Sequence, residues 1–458
     1  MNRRRFLKQS STVLAAAAAA SYVPTTFAAE RTLRVGLIGP GWYGKSSLLR
    51  ALQVAPIDVV SLCDVDSQML NEAAELVATR QKSGRKPRLY SDFRKMIAEK
   101  DVDIMMVSTP DHWHAVPAIT AMQAGMDVYC EKPTGVDVVE SQAMVAAARK
   151  YNRVVQVNTQ RRSTPHLVEA KREIVDAGLL GKIEKVEMGV WWHMRNRQTR
   201  SNAPDKAPPA NLDYEMWTGP APMQPFNDII HPRGWRAYQQ YCNGIVGDMC
   251  VHMYDMVRWL LDLKWPNRIS SWGGIFVDRD ARATTTDTQT ALFEHDGFVA
   301  TWNHRAWGKS PEPDPDFQWF GTIHGEKGIL KCSVFRYDWI PHSSGKVERT
   351  RKALLEFDKF PEDETEKDLE RHVASAMRAH WKNYLHAREN RGQVLPVADI
   401  EQAHISSSCC FLANISQQLG RAVAFDPVTH RIKDDEEANR LLARPYRAPW
   451  THPDPLKV

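Results

Sequence analysis

The sequence lacks the regular cysteine spacing of a metal site and any long apolar run in its main body. Its seven cysteines show no Cys-x-x-Cys pair, which argues against both a zinc site and a disulfide framework. We therefore expect no bound metal, and we interpret most of these cysteines as small buried apolar residues.

A strong net charge is also missing once the first 28 residues are set aside. That segment contains four basic and no acidic residues, so its removal lowers the formal charge from +5 to +1. A nearly neutral protein lacks the positive field that phosphate backbones require, so we expect no nucleic-acid partner. The remaining chain is long enough for two domains with separate cores.

Those first 28 residues have the layout of a signal peptide. A basic segment from Arg3 to Lys8 precedes an alanine-rich run from Ser11 to Val23, and small residues precede a cut near Ala29. The pair Arg3-Arg4 resembles the twin-arginine export motif, whose substrates fold before they cross the membrane. The alternative is a membrane anchor, but the run is shorter than the roughly 20 residues of a span. We expect export to the periplasm and no stable membrane anchor after cleavage.

Short apolar runs alternate with helical patterns as far as residue 157. The runs are Leu33–Ile38, Asp58–Cys63, Val102–Ser108, Asp127–Cys130 and Val154–Val157. Such alternation predicts an α/β Rossmann domain, with a doubly wound parallel sheet, over residues 30–157.

From residue 158 to residue 458 the segments become longer and richer in aromatic and β-branched residues. Four of them read as strands: Ile183–Trp192, Ser270–Val277, Thr288–Phe293 and Gly297–His304. They predict an α+β domain with a large open mixed or antiparallel sheet, for binding substrate and for assembly into a dimer or tetramer. Two C-terminal helices follow, one around Trp381 and one from about Asp399 to Leu419, with Gly420 as its stop. We interpret the charged run from Glu362 to Arg371 as a solvated face.

A glycine motif follows the first predicted strand and opens a helix. In Gly39-Pro40-Gly41-Trp42-Tyr43-Gly44, the first glycine makes the tight turn and the second lets backbone approach a pyrophosphate. The third lets helix and strand pack closely, and the helix N-terminus offers free N–H groups to the phosphates. Trp42 and Tyr43, within the motif, belong to the same predicted cofactor site. An ordinary turn between strand and helix is the alternative.

Asp64 strengthens the case for a dinucleotide. It ends the second strand, twenty residues after Gly44, where a carboxylate can accept both ribose hydroxyls. The same carboxylate would repel a 2′-phosphate, so NAD is favoured over NADP.

Three further motifs carry a family resemblance. Glu131-Lys132-Pro133 follows a strand of the first sheet, and the segments Ser108–His114 and Gly244–His252 complete the set. With them the chain resembles the glucose-fructose oxidoreductase and inositol dehydrogenase family, also known as Gfo/Idh/MocA, over nearly all of its mature length. The resemblance implies an NAD-dependent sugar or polyol dehydrogenase. It places these residues around the nicotinamide half of the cofactor: Thr109, Pro110, His112, His114, Glu131, Lys132 and Asn158.

Asp248 and His252 lie one turn apart on a predicted helix, so they share one face. Oxidation of a carbinol requires a base with a pKa near neutrality beside the hydroxyl, and His252 is the candidate. Lys132 would hold the reacting oxygen and share the proton, and Asp248 would orient the substrate or the histidine. The alternatives are a structural His252 capped by Asp248, and a surface salt bridge between Lys132 and Glu131.

The substrate side is less defined by the sequence. His112-x-His114 lies on one loop without the cysteines or carboxylates that would complete a metal site. Tryptophans and arginines near Trp191 and Trp235 suit sugar rings, although most tryptophans of such a chain belong to its core. Arg162, His193 and Tyr241 are candidate substrate contacts.

The reaction itself stays open between two classes and a third, non-catalytic one. Free NAD is scarce outside the cytosol, so an exported enzyme is expected to carry its NAD bound and to reset it in place. Net oxidation of a sugar or glycoside is one outcome. Redox-neutral glycoside cleavage, by oxidation, elimination, addition and reduction, is the other, and a binding protein remains a third.

Overall fold

The computed structural model describes residues 32–191, 203–277, 279–367 and 369–458. The predicted leader and the substrate candidate His193 lie outside these ranges. Within them, no helix combines the length and the hydrophobicity that a bilayer crossing requires. All seven cysteines are free and buried, as their spacing predicts.

The first sheet consists of short parallel strands in the spatial order β3-β2-β1-β4-β5-β6. The strands are β1 (Leu33–Ile38), β2 (Ile57–Cys63), β3 (Arg88–Tyr90), β4 (Ile104–Val107), β5 (Asp127–Cys130) and β6 (Val155–Val157). This confirms the doubly wound Rossmann prediction. The order reverses between β1 and β4, so a crevice opens at their carboxyl ends. The prediction missed β3, because its three residues are too few to give an apolar run.

Helices cover this sheet. They are α1 (Trp42–Leu52), α2 (Ser67–Arg80), α3 (Phe93–Ala98), α4 (Ala115–Gln123) and α5 (Val138–Lys150). Asp66, Asp92 and Asp137 accept backbone N–H groups at the N-termini of α2, α3 and α5. By contrast, α1 begins at Gly41 without a side-chain cap, which leaves its first N–H groups facing the crevice.

The second sheet is large and mixed, as predicted, with the order β14-β13-β12-β11-β7-β10-β9-β8. Its strands are β7 (Ile183–Val190), β8 (Arg268–Gly274), β9 (Thr288–His295), β10 (Phe298–Arg305), β11 (Trp319–Gly325), β12 (Gly328–Ser333), β13 (Arg336–Pro341) and β14 (Arg349–Lys352). Strands β7 and β10 pair in parallel, and the other neighbours are antiparallel. The sequence did not predict β11 to β14, since glycines interrupt the apolar pattern of β11 and β14 is wholly polar and exposed.

The remaining helices and two short strands lie in the C-terminal part of the chain. They are α6 (Pro165–Ala170), α7 (Tyr214–Thr218), α8 (Val251–Leu260), α9 (Glu362–Thr365), α10 (Arg371–Glu389), α11 (Ile400–Leu419), β15 (Phe425–Asp426), β16 (Arg431–Ile432) and α12 (Glu436–Asn439). Helices α8 and α11 bury one face of the sheet, which includes Phe293 and Trp302. The opposite face exposes Trp272, Leu292 and Val299.

Helix α10 packs into the core of the Rossmann domain, although its sequence position follows the second sheet. Trp381 stacks on Tyr129 of β5 with ring centroids 4.1 Å apart, and Tyr384 packs edge-on against the same ring at 5.6 Å. The first domain therefore draws part of its core from the C-terminal third of the chain.

The interpretation of residues 362–371 as a solvated face is wrong for part of that run. Asp363 is 1% exposed and accepts a hydrogen bond of 2.5 Å from Arg378, while Glu366 pairs with the buried Arg50 of α1 at 2.7 Å. These acids neutralise arginines that would otherwise be buried without a counter-charge. The run thus fastens this segment to the Rossmann domain beside the crevice.

The C-terminal tail is attached to α5 in a similar way. Asp137 accepts hydrogen bonds from the backbone N–H groups of Glu140 (2.8 Å) and Arg444 (2.9 Å) and contacts Nε2 of His452 at 2.9 Å. Burial opposes protonation of His452, but Asp137 outweighs it and raises the pKa of this histidine to about 9. The lone pairs of Asp137 are therefore occupied by the protein, and the cluster serves attachment.

Candidate active site

The turn between β1 and α1 has the geometry that a dinucleotide requires. Gly39 adopts φ +82°, and a Cβ there would lie 2.7 Å from the backbone of Ser108, which follows β4. A Cβ on Gly44 would lie 2.3 Å from the Gly39 carbonyl oxygen. A Cβ on Gly41 would meet no protein atom within 4 Å, and Gly41 lines a large cavity. The open space therefore lies where the pyrophosphate is expected.

We expect Gly41→Ala to weaken NAD binding about 10- to 100-fold with little change in melting temperature, because the new methyl occupies ligand space only. Gly39→Ala is the matched variant and should lower the melting temperature, since it forces a side chain into a left-handed backbone against Ser108. Calorimetric titration with NAD and thermal unfolding measure the two effects. Equal destabilisation by both variants would contradict the assignment.

Asp64 lies at the carboxyl end of β2 and lines the same cavity, together with Trp42 and Tyr43. Its Oδ1 accepts the backbone N–H of Asp66 at 2.9 Å. Burial raises the pKa of Asp64 to about 7, although Lys45 acts in the opposite direction. The carboxyl group is therefore partly protonated near neutral pH, before any ribose hydroxyl reaches it.

This raised pKa predicts a pH-dependent affinity for NAD. The carboxylate form accepts ribose hydroxyls, so protonation below the pKa should weaken binding by up to about tenfold per pH unit. We expect the dissociation constant to rise as pH falls from about 8 to about 5, and Asp64→Asn to bind weakly with a flat profile. A wild-type profile as flat as that of the variant would contradict a role for Asp64 in binding.

Five predicted cofactor residues line the cavity at the carboxyl ends of β4 and β5: Thr109, Pro110, His114, Glu131 and Lys132. The ring nitrogens of His114 face the carbonyl oxygens of Pro133 at 2.6 Å and Thr109 at 2.9 Å, so this imidazole joins the two strand ends. Burial lowers the pKa of His114 to about 4 in spite of both carbonyls. As a neutral ring, His114 has one N–H and donates to only one of these two carbonyl oxygens at a time.

Lys132 and Asp248 meet across the two domains. Lys132 Nζ donates to Asp248 Oδ1 at 2.6 Å and to the Asp248 carbonyl oxygen at 2.9 Å. Arg236 Nε reaches the other carboxylate oxygen at 3.1 Å. Burial alone would raise the pKa of Asp248, but Arg236 and Lys132 hold it well below its ordinary value. This pairing replaces the surface salt bridge to Glu131 that the sequence left open.

His252 lines the cavity one turn further along the chain, at the start of α8. Asp248 lies in a wider π turn (Val246–Cys250) that runs into α8, an irregularity that the sequence did not predict. Burial, with the positive charges of Lys132 and Arg161, lowers the pKa of His252 well below its ordinary value. Its buried Nδ1 has no hydrogen-bond partner among the described residues. A neutral imidazole with a free nitrogen is what a general base requires.

Four cavity residues were not predicted as site residues. Arg236 pairs with Asp248 and lies over the ring of Trp235 at 4.0 Å. Trp319 of β11 packs edge-on against His252 at 5.4 Å, and its ring also carries the guanidinium of Arg161 at 5.0 Å. Asp111 belongs to the loop that includes His112 and His114, and burial raises its pKa to about 8 against the influence of Arg236. In the sequence, the available signal for Arg236 was its position directly after Trp235, in a tryptophan-arginine pair that precedes the helix.

Several predicted site residues lie behind the cavity lining. Asn158 donates to Glu131 Oε1 at 2.7 Å, so it positions that carboxyl group, and burial raises the pKa of Glu131 to about 7. His112 faces the carbonyl oxygen of Trp217 at 3.0 Å and packs on Tyr241, whose side chain is fully buried. Asn158, His112 and Tyr241 are thus not among the residues that line this cavity, and their side chains contact residues that are.

Arg162 does not reach the cavity either. Its Nε and Nη2 donate to the two carboxylate oxygens of Asp255 at 2.7 and 2.8 Å, in a pair with 5% and 0% exposed side chains. Asp255 of α8 therefore binds Arg162, whereas Asp248 and His252 line the cavity. Arg161, the neighbour of Arg162, lines the cavity as well.

The cavity that these residues share has a volume of about 920 Å³. Its lining runs without interruption from the glycine turn and Asp64, past Lys132, to Asp248 and His252. One end thus fits the adenosine and pyrophosphate of a dinucleotide. At the other end, where the nicotinamide is expected, lie the acid-base groups Lys132, Asp248 and His252. A substrate has room beside Trp319 and Arg236.

Two family models match the chain. The model GFO_IDH_MocA, described as an oxidoreductase family with an NAD-binding Rossmann fold, matches residues 33–159. The model GFO_IDH_MocA_C2, described as the C-terminal alpha/beta domain of the oxidoreductase family, matches residues 165–284 and 355–452. Between them they cover most of the chain.

Two curated relatives show partial similarity. A glycosyl hydrolase family 109 protein of Stenotrophomonas maltophilia (strain K279a) is 29% identical over 228 residues, which are 47% of this chain and 47% of that protein. An inositol 2-dehydrogenase of Salmonella paratyphi B (strain ATCC BAA-1250 / SPB7) is 31% identical over 153 residues, 33% of this chain and 44% of that protein. The chain thus matches less than half the length of each.

A solved structure shares the fold over most of both chains. It is an oxidoreductase from Agrobacterium radiobacter in complex with NAD+, L-tartaric acid and magnesium, with a TM-score of 0.65. The similarity covers 86% of this chain and 98% of that chain at 15% sequence identity. At that identity the similarity extends to the fold alone.

Proposed function

Because the chain belongs to the Gfo/Idh/MocA oxidoreductase family, whose Rossmann domain binds NAD, we propose that it oxidises a sugar, glycoside or related polyol at a ring carbinol. The observation that carries this proposal is the convergence of Lys132, Asp248 and His252 at one end of the dinucleotide cavity. Each of the three was selected from the sequence for the same chemistry.

The roles of these residues follow from their hydrogen bonds. An ammonium group has three donors, and Lys132 uses two of them on Asp248, so the third can point at the substrate oxygen. His252, as a neutral imidazole, takes the hydroxyl proton, and Lys132 stabilises the negative charge that develops on that oxygen. Asp248 holds the Lys132 ammonium in place. Bound NAD supplies the acceptor for the hydride that leaves the carbinol carbon.

The experiment is to purify the mature protein without added nucleotide and record the near-ultraviolet absorbance of reduced nicotinamide. A panel of sugars and aryl glycosides is then added while this band and any released phenol are followed. A band that rises with one sugar and falls with a second carbonyl compound supports a dehydrogenase with resident NAD. Absence of both bound nucleotide and any response would refute the proposal.

Redox-neutral glycoside cleavage is the second candidate, and the similarity to a glycosyl hydrolase family 109 protein favours keeping it. The same groups serve both reactions, because each begins by removing a hydroxyl proton and a hydride from one carbon. The products differ. Phenol release from an aryl glycoside without a lasting change in the nicotinamide band would identify the cleavage reaction.

We also propose export and self-assembly. Export rests on the Arg3-Arg4 motif, and Arg3→Lys with Arg4→Lys should keep the protein in the cytosolic fraction of fractionated cells.

Assembly into a dimer or tetramer is supported by the exposed apolar side chains Trp272, Leu292 and Val299 on the open sheet face. Light scattering of the purified protein tests the oligomeric state.

A further inference from the structure

Arg161 is a buried arginine, and two of its three guanidinium nitrogens have no hydrogen-bond partner among the residues that the structure describes. It lies in the turn after β6, is 2% exposed and lines the catalytic end of the cavity. Its Nε and Nη1 are buried and have no hydrogen-bond partner among the described residues. Its neighbour Arg162, by contrast, is bound through two hydrogen bonds to Asp255.

An unpaired buried guanidinium destabilises the folded protein, because it loses water without gaining an acceptor. Glu370 acts electrostatically on the charge of Arg161, but Nε and Nη1 stay without a hydrogen-bond partner among the described residues. Such a group is expected where a ligand supplies the missing acceptor. Arg161 is therefore poised for binding and contributes little to folding.

The surroundings of Arg161 place that ligand next to the reacting carbon. The guanidinium lies over the ring of Trp319 at 5.0 Å, and His252 packs edge-on against the same ring at 5.4 Å. Lys132 and Arg236 share the carboxylate of Asp248, and burial raises the pKa of the neighbouring Asp111 to about 8 and that of Glu131 to about 7. An anionic substituent of a substrate at this end of the cavity would thus meet the positive side chains of Arg161, Lys132 and Arg236.

We propose that Arg161 binds a carboxylate of the substrate, so that the enzyme acts on acidic sugars such as uronic acids rather than on neutral ones. The planar fork of a guanidinium matches a carboxylate in two parallel hydrogen bonds, which a sugar hydroxyl cannot form. This assignment rests on the proposed dehydrogenase function. It names the substrate class of the same site.

The test compares acids with their own esters. D-glucuronate and D-galacturonate, each beside its methyl ester, are given to the wild type, Arg161→Gln and Arg161→Lys, and reduction of bound NAD is followed. The wild type should favour the acid over the ester at least about 100-fold in kcat/KM, and Arg161→Gln should bring this ratio near one. Arg161→Lys should recover part of it. The exposed Arg172→Gln is the matched control and should keep the wild-type ratio.

A second readout separates binding from folding. Ligand-free Arg161→Gln should melt at or above the temperature of the wild type, because it removes an unpaired buried charge. It should also retain the same amount of NAD. A marked loss of melting temperature would make Arg161 structural, and a loss of bound NAD would assign it to the cofactor. Either result would overturn the proposal.

Failure of this inference differs from failure of the proposed function. Turnover of neutral sugars or esters as fast as acids, or a stronger preference for sugar phosphates, would overturn the carboxylate site and leave the dehydrogenase intact. If no sugar reacts, the dehydrogenase proposal fails, and calorimetric titration of the NAD-loaded protein with D-glucuronate decides the rest. Equal binding by the wild type and Arg161→Gln would then refute the site.

Discussion

Lys132→Met is expected to lower kcat about 1,000-fold while the affinity for NAD changes only a few-fold. The variant keeps the length of the side chain but removes the charge that pairs with Asp248 at 2.6 Å and the donor that would hold the reacting oxygen. Removal of one such donor typically slows an enzyme by about 100- to 1,000-fold, and Lys132 also shares the proton. Single-turnover reduction of bound NAD by the preferred sugar measures the effect.

The control for this variant is Lys185→Met, on the exposed side of β7, where the lysine pairs with Glu187. It should keep wild-type turnover. The residual kcat should separate two roles of Lys132, contact with the reacting oxygen and support of Asp248. A lysine that only supports Asp248 would leave a larger activity when it is replaced. A Lys132→Met enzyme with more than about a tenth of wild-type kcat would contradict its place beside the reacting oxygen.

The elements that the sequence predicted well have strong local signals. Strand β5 was assigned to its observed bounds, because four buried residues stand between a glycine turn and the Glu131-Lys132-Pro133 motif. Helix α11 ends at Gly420, which adopts φ +65°, as its position after the last apolar residue predicts. The glycine motif also gave a strong signal, although only Gly44 packs against an atom of its own turn, the Gly39 carbonyl oxygen, while Gly39 approaches Ser108 after β4.

The features that escaped prediction depend on distant partners. Nothing local distinguishes Arg161 from Arg162, and the choice is made by Asp255, some ninety residues later, which binds one and leaves the other to the cavity. Asp363 is buried because Arg50 and Arg378 meet it from two other helices. A sequence pattern indicates which face of a helix or strand is buried, but it does not identify the element that packs against that face.

The placement of Asn158 and His112 shows the same limit within a correctly identified site. Both belong to loops at the carboxyl ends of strands of the first sheet, which is where the sequence put them. Neither side chain lines the cavity, because Asn158 donates to Glu131 and His112 faces the Trp217 carbonyl oxygen. Family motifs therefore located the loops, while individual side-chain directions needed the packed structure.

His252→Asn is expected to lower kcat about 1,000-fold and to change how the rate depends on pH. The lowered pKa of His252 keeps the imidazole neutral through the neutral range, so the wild type should lose no base activity as pH falls to about 6. Below the folded pKa the imidazole binds a proton and the rate should fall. Without the base, reaction depends on the alkoxide already present, so the residual rate should rise about tenfold per pH unit.

The matched control is His342→Asn, an exposed histidine on the turn after β13, which should leave both kcat and the pH profile unchanged. Asparagine keeps a polar side chain at position 252 but is smaller than histidine, so it leaves a space beside Trp319 while NAD should stay bound. Added imidazole should restore part of the rate, since it can enter the vacated space as a base. A variant that keeps the wild-type pH profile at a reduced rate would show that His252 only positions other groups. The base would then be sought in Asp111 or Glu131, two acids of the cavity whose pKa values are raised to about 8 and about 7.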